Sequence, residues 1–148
     1  MNWKQLLAEH KAHTHSTSKQ ELDGLRRLIA RDLADAAVKG LSSDRQFATA
    51  YNAALQTATM AICCSGYRLA SAPGHHRLTF DAARLALGAS AARSLDFFEA
   101  CRRKRNVIDY DQASVATETE AAEVIVEARS FLDLVEQWIV THHPKLAA

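Results

Sequence analysis

Apolar residues recur three and four positions apart through most of this chain, the spacing of one face of an α-helix. Leu22, Leu25, Ile29, Leu33 and Ala36–Ala37 form one such track, which predicts a helix from about Lys19 to Lys39, ended at Gly40. Phe47, Tyr51, Ala54–Leu55, Ala58 and Ile62 form the inner track of a longer helix, about Asp44 to Ala70. Ala121, Ile125, Ala128, Leu132, Val135 and Ile139 do the same for a closing helix, Glu118 to about Thr141, stopped by Pro144. Between these lie a helix from about Thr79 to Leu87, broken near Gly88, and another from about Ala89 to Asn106 or Tyr110. A short first helix covers roughly Trp3 to His13. No alternation of period two persists anywhere, so no strand is predicted.

The helix starts carry their own punctuation. Ser18–Glu21, Ser43–Gln46 and Thr117–Glu120 each read as a capping box: a hydroxyl accepts from the amide three residues on, and the Glu or Gln reaches back. SAPGHH, residues 71–76, is the clearest loop, with Pro73-Gly74 as its turn signal. The many alanines at 47–62 allow a neighbouring helix to approach closely, because interaxial distance follows side-chain size.

Short connections between antiparallel helices predict an all-α, up-and-down bundle of about five to six helices. An irregular α-fold with crossed helices is the alternative. No repeat, low-complexity tract or linker divides the chain, so residues 1–148 read as a single domain, with 1–16 as an N-terminal helical arm. Trp3, Leu6 and Leu7 in that arm either pack on the bundle or bind a partner.

Composition narrows the function classes. The 148 residues carry a formal net charge of +1, so no overall field draws the molecule to a polyanion, and any nucleic-acid contact must be a local patch. No apolar run approaches the roughly 20 residues of a bilayer span. MNWKQLLAEHKAH lacks the apolar centre of a signal peptide. Both features lead us to expect a cytoplasmic chain without membrane association. Cys63, Cys64 and Cys101 make no disulfide framework, and Cys63–Cys64 read as small buried hydrophobes.

Histidines fall in groups: His10, His13 and His15; His75–His76; His142–His143. No spacing among them matches a closed zinc set, so no metal and no cofactor are expected. The five glycines form no phosphate loop, and Ser65-Gly66 has no nucleophile-elbow context. The acidic residues of 118–123 suit the positive end of a helix dipole.

The chemistry concentrates in CRRKRNVIDYDQ, residues 101–112. Projected at about 100° per residue, Ala91, Leu95, Phe97, Phe98, Cys101 and Ile108 share one arc. Arg105 and Asp109 fall inside it, Arg102 at its edge and Asn106 just beyond. Arg103 and Lys104 point elsewhere and read as a solvated helix end that complements the C-terminal dipole. An inward guanidinium needs partners. Asp109 stands four residues from Arg105, and Asn106 four from Arg102, so a polar network is available. It serves either a helix or subunit boundary, through Arg105 and Asp109, or a cleft. Arg102, Arg103, Lys104 and Arg105, joined by Tyr110 and by Arg68 or Arg77, are enough for a salt-sensitive nucleic-acid contact.

FATAYNAALQTATMAICCSGYR (47–68), FFEACRRKRNVIDYD (97–111) and TETEAAEVIVEARSFLDLVEQWI (117–139) together resemble the HEPN domain (higher eukaryotes and prokaryotes nucleotide-binding), over roughly residues 44–141. The resemblance implies a helical bundle that commonly dimerises, with the Arg motif near the dimer cleft. Many members are metal-independent ribonucleases of toxin–antitoxin or defence systems. Their motif is Arg, a polar residue, then His after an interval. Arg105 and Asn106 match its first part, and Tyr110 stands where His would follow. Histidine, with a pKa of about 6.5, can move both protons of RNA cleavage. Tyrosine, at about 10, is a poor base at neutral pH. The resemblance therefore implies a homodimer that binds RNA, a nucleotide or a protein partner such as a cognate nucleotidyltransferase or antitoxin, without efficient catalysis. Two alternatives stay open. One is a ribonuclease toxin built on Arg105, Asn106 and Tyr110 with an atypical base, for which His75 or His76 is a candidate. The other is a structural or interaction bundle.

Overall fold

The computed structural model describes residues 1–71, 74–110 and 114–148, the backbone alone at 109 and 110. The order is α1 (Trp3–Ala8), β1 (Ala12–Thr14), α2 (Lys19–Ala36), α3 (Ser43–Cys64), β2 (Tyr67–Leu69), α4 (His75–Leu87), a 3₁₀ turn (Gly88–Ala91), α5 (Ala92–Tyr110), α6 (Glu118–His142) and a last 3₁₀ turn (Pro144–Leu146). The fold is an all-α helical bundle with one small ribbon.

α3 forms the centre and packs on α2, α4, α5 and α6. Its alanines explain how. Ala50, Ala53, Ala54, Ala58 and Ala61 are fully buried, so neighbouring helices meet the backbone ridge directly. The volume that alanine leaves open is filled by aromatics from the helices around it. Tyr51 meets Phe80 edge-on at 5.7 Å, Phe80 stacks on Phe98 at 5.8 Å, and Phe98 reaches Phe131 at 5.6 Å. This column joins α3, α4, α5 and α6, and truncating one of its phenylalanines to alanine would cost about 3–5 kcal/mol.

Direction follows from a few pair contacts. Lys104 pairs with Glu120 while Phe98 meets Phe131, so α5 and α6 run antiparallel. Asp44 at the start of α3 accepts from Ala116 N at 2.8 Å, just ahead of α6. Arg26 clamps α2 to the far end of α6, with Nε 3.0 Å from Glu136 Oε2, and also holds the C-terminal turn through Leu146 O at 2.8 Å.

The capping signals resolve one by one. Thr117 and Glu120 close a full capping box. Ser18 caps α2 by accepting from Glu21 N, but the Glu21 side chain turns to His15 and Thr17. At α3 the cap is Ser42, one residue before the expected Ser43, and it accepts from Arg45 N at 3.2 Å.

Two helix bounds, and the expectation that no strand forms, are corrected. The first helix stops at Ala8 rather than His13, because the chain turns at His10 (φ 58°) into β1. The long helix stops at Cys64 rather than Ala70, because Gly66 takes φ 93°, a left-handed conformation that ends a helix and starts β2. β1 and β2 then pair antiparallel, with Ala12 opposite Leu69 and Thr14 opposite Tyr67. The ribbon docks α1 on the bundle: Leu6 is buried with Ile62, Leu69 and Ala82, and Trp3 stacks on Tyr67 at 4.1 Å. The arm is thus a packed element.

Candidate functional site: a basic cleft between α4 and α5

α5 continues through Tyr110, five residues beyond Arg105, so Arg102–Arg105 do not occupy its last turn. The reading of Arg103 and Lys104 as a helix end facing its own dipole is corrected accordingly. Instead the four cations fan around the middle of the helix. Arg103 is exposed. Lys104 turns to α6 and pairs with Glu120, whose carboxyl it holds below the ordinary range, with help from Thr117. Arg102 is half-buried on the α4 side, and Arg105 points toward α3.

Arg105 meets two residues of α3. Its Nη2 donates to Asn52 Oδ1 at 3.3 Å, and its guanidinium carbon lies 5.9 Å above the Tyr51 ring. Tyr51 is fully buried, and burial pushes its phenol well above the ordinary tyrosine value, with Arg105 working against that shift. The Tyr51 hydroxyl has no hydrogen-bond partner among the described residues. The His76 ring also approaches Tyr51, with ring centroids 6.3 Å apart.

His76 comes from the first turn of α4. The helix begins at Gly74, whose φ of 81° suits glycine and which makes no side-chain cap hydrogen bond. That turn carries no acidic residue. The dipole at this end of the helix favours an anion.

Two recesses open beside this turn. One, of about 270 Å³, is lined by Gly74, His75, His76, Arg77, Arg102 and Asn106. The next, of about 430 Å³, is lined by Arg77, Glu99, Ala100, Arg102 and Arg103. They share Arg77 and Arg102 and form one cleft along the α4–α5 seam. Its acidic member is Glu99, with Oε2 3.8 Å from Arg102 Nε, too long for a hydrogen bond. Burial pushes the Glu99 carboxyl above the carboxylate range, and the Asp81 charge adds to this, against the pull of Arg102, Arg77 and Arg84.

The structure therefore brings Arg102, Arg103 and Asn106 to the cleft, sets Arg105 behind it against α3, and sends Lys104 to the opposite flank. Arg77 lines the cleft; Arg68 lines an adjoining recess with Cys63 and Thr59, which meets the cleft at His75 and His76. The side chains of Asp109 and Tyr110 lie outside the described residues, as does Pro73. Sequence reasoning passed over Asn52 and Glu99. The second had a signal in its i, i+3 spacing to Arg102. The first had none beyond being a polar residue beside the buried track of α3. His75 and His76, read from sequence as loop residues, belong to the first turn of α4.

This arrangement suits binding of a phosphate. Three guanidinium groups and an Asn amide all offer donors. No family model, curated protein or solved structure matches the chain. Among the described residues, no helix is long and apolar enough to cross a membrane.

Proposed function

We propose that this chain is a HEPN-like, cytoplasmic bundle that binds single-stranded RNA or a nucleotide through its phosphates, acting as a homodimer. The observation that carries the reading is the convergence of Arg77, Arg102, Arg103 and Asn106 on one cleft beside the first turn of α4. Arginine suits this task because its planar fork meets two phosphate oxygens at once. Arg105 acts as the positioning residue: anchored on Asn52 and Tyr51, it fixes the segment of α5 that presents Arg102 and Asn106. A protein partner such as an antitoxin or nucleotidyltransferase fits the same reading, since an acidic or phosphorylated surface would meet the same donors.

Fluorescence anisotropy with labelled single-stranded RNA tests it. Binding that weakens steeply with salt, and falls in Arg102→Ala and Arg77→Ala, supports the reading. Absence of salt-sensitive binding overturns it.

One observation favours the ribonuclease alternative. His76 stands against Tyr51 on the edge of the cleft, where an imidazole could take the role that the motif's own histidine lacks here. Cleavage of RNA in EDTA, lost in both His76→Ala and Arg105→Ala, would establish it. Intact RNA after prolonged incubation would leave the binding reading in place.

A further inference from the structure

Away from the cleft, the ribbon assembles a second group of reactive side chains. β1 leads into His15, whose N–H donates to Gly66 O at 2.8 Å. With Thr14 paired to Tyr67, that bond holds His15 over the C-terminal end of α3. There His15 Nε2 lies 2.8 Å from Glu21 Oε1, in the first turn of α2. Cys63, in the last turn of α3, completes a set in which the three ligand atoms all lie within 4.8 Å of one another. Atoms bound to one zinc ion at about 2.0–2.3 Å stand roughly 3.3–3.8 Å apart. The observed spread brackets that spacing, so small rotamer shifts suffice.

We propose that His15, Glu21 and Cys63 form a binding site for a divalent transition metal of the zinc type, with three protein ligands and one open position. Imidazole, carboxylate and thiolate together suit borderline-soft zinc and cobalt rather than magnesium or calcium. As the metal–sulfur bond forms, the Cys63 thiol gives its proton to solvent. Glu21 holds the group together, hydrogen-bonded to both His15 and the Cys63 thiol, and a bound metal would take the place of those two hydrogen bonds. Thr17 Oγ1 donates to Glu21 Oε1 at 2.6 Å and orients the carboxylate from outside the set. Arg68, on β2, is the cation that faces the group. Cys63 and Arg68 also line a recess of about 280 Å³ with Gln56, Thr59 and His75, which gives a water or a small anion access to the open position. The site would clip the arm, α2 and α3 together. No spacing motif could disclose it, because the ribbon closes the gap between residues 15 and 63.

The test is titration of the chelator-stripped, reduced full chain with cobalt(II). Wild type is expected to show a near-ultraviolet sulfur-to-cobalt charge-transfer band with visible d–d bands. Cys63→Ser should lose the charge-transfer band, while Cys64→Ser and Cys101→Ser keep it. His15→Ala and Glu21→Gln should each weaken cobalt binding by more than the roughly 10–100-fold typical of losing an outer-shell partner. Zinc should raise Tm of wild type and not of His15→Ala. A wild-type spectrum without the thiolate band, as the exposed His10 and His13 alone would give, overturns the proposal. So does a band that survives Cys63→Ser or vanishes in Cys64→Ser. Should Cys63→Ser fail to fold by circular dichroism, the His15→Ala/Glu21→Gln double variant decides: unchanged cobalt affinity there overturns the site.

Discussion

Arg105 reaches out of α5 to Asn52 of α3, Nη2 to Oδ1 at 3.3 Å, across the face of a fully buried Tyr51. One side chain thereby joins the segment that bears the basic motif to the central helix of the bundle. Arg103, two residues earlier, is exposed.

Arg105→Ala should therefore destabilise the fold by about 1–2 kcal/mol, the range of a charge-assisted hydrogen bond discounted for partial exposure. Arg105→Lys should recover only part of this, since a lysine lacks the planar fork and stacks poorly on the ring. Arg103→Ala should stay within about 0.5 kcal/mol of wild type. Urea unfolding followed by circular dichroism gives all three values.

RNA affinity should divide the basic motif in two. Arg102→Ala and Arg77→Ala should each lower the slope of log K against log salt by about one. Lys104→Ala should leave the slope unchanged, because Lys104 is engaged with Glu120 on the far flank of α5. Equal effects from all four basic residues would mean that the strand follows the whole helix rather than the cleft.

Glu99 gives the cleft a pH dependence of definite sign. Its carboxyl is raised in the folded state, by burial first and then by Asp81. A raised carboxyl favours folding while it is protonated, and that advantage disappears as pH climbs through the raised value. Glu99→Gln keeps a neutral amide throughout. It should approach wild type in Tm as pH falls well below the ordinary glutamate value of about 4.3, where both side chains are uncharged, and exceed it at neutral pH. The same variant should bind RNA more tightly, because it removes a carboxylate from beside Arg102 and Arg77.

The shifted helix cap is open to a simple comparison. Ser42→Ala should cost about 1 kcal/mol, since its hydroxyl accepts from Arg45 N. Ser43→Ala should be nearly neutral or slightly stabilising, since Ser43 already lies inside α3 and alanine is the better helix former. Thermal melts of the two variants separate the alternatives.

The helices were legible in the sequence because their signals are local. Apolar period, Thr117 with Glu120, and the stop at Pro144 all act within a turn or two, and α2 and α6 follow them closely. The ribbon was not legible. Its strands are three residues each and pair across more than fifty residues, so neither AHT nor YRL shows an alternation. The end of α3 did carry a mark, Gly66, which the continuing apolar run overshadowed. The inward turn of Arg105 could be read from the arc it shares with Phe98 and Cys101. Its meeting with Asn52, and the approach of His76 to Tyr51, depend on how α3, α4 and α5 slide past one another. That register is set by the aromatic column, a property of the assembled core rather than of any one segment.

The flat contact of Trp3 on Tyr67 turns the arm into its own optical reporter. Trp138, the other indole of the chain, sits instead against the imidazoles of His142 and His143. With Trp138 replaced by phenylalanine, the remaining emission would follow undocking of the first dozen residues as an event separate from melting of the helices, and it would show at once whether an added ion holds that arm in place.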